Sequence, residues 1–113
     1  HPNSRVDASS FDKLSALLPD SNGVVHATPT GMAEHPGIAF DPALLHPGLW
    51  VADIVYRPLD TALLQAARAA GCRTLDGGHM AVYQAVDAFA LITGRTPDAA
   101  RMTAHFRNLV TNS

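Results

Sequence analysis

Leu49-Trp50-Val51-Ala52-Asp53-Ile54-Val55-Tyr56 is an apolar run rich in β-branched residues, closed by Pro58, and directly after it the sequence switches to a helical period. The run is the strongest strand candidate in the chain. Asp60 or Thr61 is placed to cap a helix over 61–70, in which Leu63, Leu64, Ala67 and Ala70 share one face. Gly71 then stands where a left-handed C-terminal residue is wanted, and Arg73-Thr74-Leu75 follows as another short strand. A crossover of about ten helical residues between two strands implies that they are parallel and joined right-handedly.

The flanking segments extend this pattern. Ser10 precedes Phe11, Leu14, Leu17 and Leu18 at helical spacing, which predicts a short helix over 11–18 with Ser10 as its cap. Pro19, Asp20, Asn22 and Gly23 form a turn, and Val24-Val25-His26-Ala27 reads as a buried strand that stops before Pro29 and Gly31. The prolines and glycines between Thr28 and Gly48 predict an irregular stretch with one turn of helix at Asp41–Leu45. Beyond the last strand, Gly77-Gly78 reads as a tight turn, Met80–Thr93 as a helix closed by Gly94, and Thr96-Pro97-Asp98 as N-cap, N1 and acidic first turn of a final helix to about Leu109. The order is αβ(loop)βαβαα, an α/β fold that makes up one half of an open parallel sheet with flanking helices.

Composition narrows the function classes. With 113 residues the chain suits one globular domain with a modest core. Eight Lys plus Arg against ten Asp plus Glu give a net charge of −2, which offers no electrostatic basis for binding nucleic acid or an anionic membrane. Asp53, Arg57, Arg68 and Asp87 interrupt every apolar stretch before it reaches the roughly 18 to 20 residues of a membrane span. Cys72 is the only cysteine, so an internal disulfide is excluded, and a reducing cytoplasmic setting is the expectation. The chain opens on His1-Pro2 rather than Met and carries no secretory signal pattern, so its start is expected to be internal.

In an open parallel sheet, ligands lie beyond the carboxyl ends of the strands. Those ends are Thr28-Pro29-Thr30-Gly31-Met32, Tyr56-Arg57-Pro58-Leu59 and Asp76-Gly77-Gly78-His79-Met80. Gly31 and Pro29 suit a backbone that approaches a ligand closely or simply turns. The third loop leads into a helix whose free amides favour negative charge or hydroxyl acceptors. Met80 and Gln84 lie four apart on one face, beside Tyr83. A polarizable thioether packs against a flat ring, and an amide pairs with hydroxyls either way. The competing reading is a core methionine and a solvated glutamine. A G-x-G-x-x-G fingerprint, a P-loop and a G-x-S-x-G are all absent, and His1, His26, His35, His46, His79 and His105 show no metal-ligand spacing. Cys72 reads as a small buried residue and Lys13, the only lysine, as solvated.

Three stretches together resemble the C-terminal part of the shikimate dehydrogenase family: Ala27-Thr28-Pro29-Thr30-Gly31-Met32, Asp53-Ile54-Val55-Tyr56-Arg57-Pro58-Leu59-Asp60-Thr61-Ala62-Leu63-Leu64, and Asp76-Gly77-Gly78-His79-Met80-Ala81-Val82-Tyr83-Gln84-Ala85. Phe89-Ala90-Leu91-Ile92-Thr93-Gly94 continues the match. His35-Pro36-Gly37 and Ala85-Val86-Asp87-Ala88-Phe89 are most similar to its quinate/shikimate branch. The resemblance runs in order from Asn22 to Asn108. It implies the second half of a Rossmann-like sheet over about 1–78, a C-terminal helical pair over about 79–110, and oxidation of the ring hydroxyl of shikimate or quinate to the ketone with NAD or NADP. By motif, Thr28, Pro29, Gly31 and Met32 line the cofactor groove, Ile54, Gly77 and Met80 approach the nicotinamide, and Tyr56 and Gln84 meet the substrate.

The departures from the family are as specific. Its catalytic Lys and Asp, in an N-terminal substrate domain, have no counterpart here, and Lys13 does not match that motif. Its glycine-rich pyrophosphate loop and most of the segment that selects NAD or NADP are also missing, and His26 stands where Asn is common. The resemblance therefore implies no catalytic residue within this chain and an inactive chain when alone, while the histidine spacing already gives no metal. The alternative expectation is a non-catalytic half-domain that binds a nucleotide or a partner, with an open sheet edge favouring a homodimer.

Overall fold

The computed structural model describes residues 4–112, so the His1-Pro2 start lies outside the described residues. Three strands, β1 (Gly23–His26), β2 (Trp50–Asp53) and β3 (Arg73–Leu75), form one parallel sheet in the order β1-β2-β3. The α-helices are α1 (Leu14–Leu17), α2 (Ala62–Ala69), α3 (Gly77–Thr93) and α4 (Ala99–Thr111). The expected α/β architecture with flanking helices is the observed one.

The core lies between α2 and one sheet face. Leu63, Leu64 and Ala67 of α2 pack with Leu45, Leu49, Val51 and Cys72, and Leu49 and Ala67 are sealed from solvent. Thr61 caps α2 by accepting from the Leu64 amide at 3.2 Å, and Gly71 takes φ of +85° after its last turn. The opposite face is open: Val25, Trp50 and Leu75 are each 40–59% exposed. That openness overturns the reading of β1 as a buried strand, because an edge position with one bare face leaves only His26 buried. Gly23 has a packing reason instead, since a β-carbon there would fall 1.9 Å from the Trp50 indole.

Several boundaries move, each for a local reason. Ser10 stands at the N-cap as expected but turns its hydroxyl to the Asp12 carboxylate and makes no side-chain cap bond, and the segment after it divides into a 3-10 turn (Phe11–Lys13), α1, and a second 3-10 turn (Leu18–Asp20) containing Pro19. β2 ends at Asp53 rather than Tyr56 because the Asp53 carboxylate accepts the Val55 amide at 3.0 Å and draws the chain out of the ladder. Gly77-Gly78 is not a turn. Both residues open α3, and Asp76 is the cap, accepting from the His79 amide at 3.1 Å. Asp98 rather than Thr96 caps α4, accepting from Arg101 at 3.0 Å. The turn at Pro42–Leu44, capped by Asp41, and the left-handed Gly94 are as expected.

α3 and α4 pack on each other and reach away from the sheet, leaving Leu91 and Ile92 more than four-fifths exposed. The radius of gyration is accordingly 16.2 Å, against about 13 Å for a compact domain of this size.

Candidate functional site

Residues 27–32 follow β1, residues 54–57 follow β2, and Asp76 links β3 to α3, so all three loops lie at the carboxyl edge of the sheet. A groove of about 300 Å³ opens between the first two. Ala27, Thr28, Pro29 and Met32 form one wall and Ile54, Val55, Tyr56 and Arg57 the other. The lining is mostly apolar, with Thr28, Tyr56 and Arg57 as its polar residues. The Ala33 amide donates to the Arg57 carbonyl at 3.1 Å and ties the walls together.

Thr28, Pro29, Met32, Ile54 and Tyr56, which come from two separate motifs, therefore meet in one groove. Gly31 lies behind its wall: with φ of +101° it donates its amide to the His35 carbonyl at 2.6 Å and closes the turn that presents Met32. Gly77, Met80 and Gln84 are outside the lining. Gly77 is buried against the Ile54 and Val55 carbonyls, Met80 is half-buried, and Gln84 is exposed on α3. The Tyr56 ring is braced by Phe106 of α4, with centroids 5.8 Å apart and planes at 60°.

A polar network under the groove was not anticipated from the sequence. His26, Asp53 and Thr61 are all buried. His26 Nδ1 lies 2.9 Å from Asp53 Oδ1, the Thr61 hydroxyl donates to Asp53 Oδ2 at 2.8 Å, and His26 Nε2 meets the Thr28 hydroxyl. The available signal was polar residues interrupting apolar strands near their carboxyl ends, at His26 and Asp53. The register pairs these two residues directly.

At the third loop, Asp76 accepts from His79 and lies 3.7 Å from the Arg107 guanidinium of α4. Burial raises its pKa, but hydrogen bonds from the His79 amide and imidazole and the charges of His79 and Arg107 outweigh burial and hold it below the ordinary carboxylate value. Among the described residues no group of three His, Cys, Asp or Glu is arranged to hold a metal, and no helix is long and apolar enough to cross a membrane. Cys72 is buried, with its thiol donating to the His46 carbonyl, and Lys13 is exposed.

No family model matches the chain. Individual relatives match it closely. It is 65% identical over 105 residues to the shikimate dehydrogenase (NADP(+)) of Streptomyces avermitilis, covering 93% of this chain and 36% of that protein. It is 60% identical over 104 residues to the quinate/shikimate dehydrogenase (NAD(+)) of Corynebacterium efficiens, covering 92% and 36%. The chain thus spans little more than a third of the length of these relatives. Among solved structures, the quinate dehydrogenase of Corynebacterium glutamicum in complex with NAD superposes with a TM-score of 0.83 at 52% identity, over 86% of this chain and 34% of that one. The resemblance to shikimate and quinate dehydrogenases is borne out along nearly the whole chain, as is the Rossmann-like fold class.

Proposed function

We propose that this chain, a partial homologue of shikimate and quinate/shikimate dehydrogenases, supplies the nicotinamide-side groove and a substrate contact of an NAD- or NADP-dependent enzyme that oxidises the ring hydroxyl of shikimate or quinate to the 3-dehydro ketone. One observation carries the reading: residues from two separate motifs meet in one groove at the carboxyl ends of parallel strands, where such sheets take their ligands.

The groove suits the group. Its apolar walls accept a flat ring, and Thr28, Tyr56 and Arg57 offer polar contacts at its rim. When bound, NAD or NADP supplies the hydride acceptor. Thr28, Pro29 and Met32 would hold the ring from the β1 side, and Ile54 would shield it from water on the β2 side. Tyr56, steadied by Phe106, presents its phenol to the substrate. Gly77 seats α3 against the Ile54 and Val55 carbonyls, and from that helix Met80 would contact the nicotinamide and Gln84 would hydrogen-bond substrate hydroxyls.

No residue of this chain is assigned the proton-transfer step. That step belongs to a Lys and Asp pair elsewhere in the enzyme, and its loss lowers the rate by on the order of 10² to 10⁴. The enzyme is proposed to be cytoplasmic and to work as a homodimer. The test is to incubate the full-length protein containing this chain with NAD or NADP and with quinate or shikimate, and to follow nicotinamide reduction. Reduction with either acid supports the proposal. Dinucleotide binding without reduction favours the non-catalytic half-domain instead.

A further inference from the structure

We propose that α4 is a strap across the strand-end loops, and that Phe106 on it is a positioning residue that fixes the Tyr56 phenol for the hydroxy acid. The inference rests on Tyr56 meeting the substrate, and deepens that reading by naming what holds the phenol in place.

Tyr56 needs a hold from outside its own strand. β2 leaves the sheet at Asp53, so Tyr56 stands three residues beyond the last ladder position, with its ring nearly half exposed. A tyrosine side chain turns between rotamers unless something packs against its ring. Phe106 packs there, in the one aromatic pair among the described residues.

Phe106 is itself held by what surrounds it. Gly78 of α3 leaves room for the ring, since a β-carbon on Gly78 would fall 3.1 Å from Phe106 Cε1. The next residue, Arg107, lies 3.7 Å from Oδ2 of Asp76, whose carboxylate caps α3. Val110, one turn further on, lines a cleft with Ala33, Arg57 and Pro58. Spacings of three and four put residues 106, 107 and 110 on one face of α4. That face reaches the chain beyond each of the three strands, yet no residue of α4 lines the groove between the first two loops. Phe106 therefore acts on the substrate through Tyr56 rather than by touching it.

The experiment uses the full-length protein and measures kcat and KM for quinate or shikimate, and KM for NAD or NADP, in Tyr56→Phe, Phe106→Leu, Phe106→Tyr and the double variant Tyr56→Phe/Phe106→Leu. Tyr56→Phe removes one hydrogen bond and should raise the KM for the acid by about threefold to tenfold. Phe106→Leu keeps apolar bulk but frees the phenol, and should raise that KM by about twofold to fivefold while the dinucleotide KM stays within about twofold. Phe106→Tyr, which keeps the ring, should behave as the wild type. In the Tyr56→Phe background Phe106→Leu should add nothing, because no phenol is left to aim. An acid KM unmoved by Phe106→Leu, or losses that simply add in the double variant, overturns the inference and leaves Tyr56 as a substrate contact. An acid KM unmoved by Tyr56→Phe rejects the substrate role of Tyr56, and the inference falls with it. One reading needs no variant to fold: in the wild type, nuclear Overhauser contacts between the Tyr56 and Phe106 rings should persist when the acid is bound, and their loss on binding also overturns the inference.

Discussion

Gly77 and Ile54 are in direct backbone contact: a β-carbon on Gly77 would fall 2.4 Å from the Ile54 carbonyl oxygen and 2.5 Å from that of Val55. Neither atom can retreat without shifting β2's exit, so the start of α3 is fixed against the groove wall by the absence of a side chain. Gly77→Ala is expected to lower stability by about 1–3 kcal/mol, measured by urea denaturation of the full-length protein. Gly94→Ala, where a β-carbon meets open space, should lose only about 1 kcal/mol from its left-handed φ of +68°.

These glycines show which parts of the fold were legible in the sequence. Gly71 and Gly94 are legible in the sequence because left-handed helix ends are local events with a local signature. Gly77 resembles a turn residue in the sequence because its requirement comes from Ile54, more than twenty positions earlier in the chain. The parallel order was readable from one strand, helix and strand in succession, yet the bare face of β1 was not, since periodicity does not report what covers a sheet. For the site, positions at strand ends single out Thr28, Met32 and Tyr56, the family resemblance adds Ile54, and the four meet in one groove. The network of His26, Asp53 and Thr61 is not legible in the sequence, because only the register places these three residues side by side.

Thr61 serves two acceptor and donor roles at once, so Thr61→Val removes the α2 cap and leaves Asp53 Oδ2 without its donor. The cap contributes about 1 kcal/mol and the stranded buried acceptor about 1–3 kcal/mol. A denaturant midpoint shift corresponding to about 2–4 kcal/mol is expected. Thr61→Ser, which retains the hydroxyl, should recover at least half of it.

The lowered pKa of Asp76 has a directional consequence for stability. A carboxyl group depressed in the folded state stabilises fully above its unfolded value, here near the ordinary 3.8, and that stabilisation is lost as pH falls through the folded pKa. Denaturation curves of the wild type should therefore weaken more steeply on acidification below that value than those of Asp76→Asn. Parallel acid limbs for the two proteins would show that His79 and Arg107 do not stabilise the Asp76 charge.

Gln84 stands exposed on α3. Gln84→Ala should therefore leave folding stability within about 0.5 kcal/mol of wild type. The KM for shikimate or quinate should rise while that for the dinucleotide is unchanged. Equal loss of both would place Gln84 in a general structural role.

The central claim, that the groove between the β1 and β2 loops takes the nicotinamide, is tested most directly by methyl NMR of the chain's three methionines in the full-length protein. Met32 lines the groove, Met80 lies on the first turn of α3, and Met102 lines a separate cleft between α3 and α4. Titration with NAD or NADP should shift Met32 and Met80 and leave Met102 unmoved. A shift of Met102 with Met32 silent would contradict the account, because the dinucleotide would then sit in the helical cleft rather than at the ends of the strands.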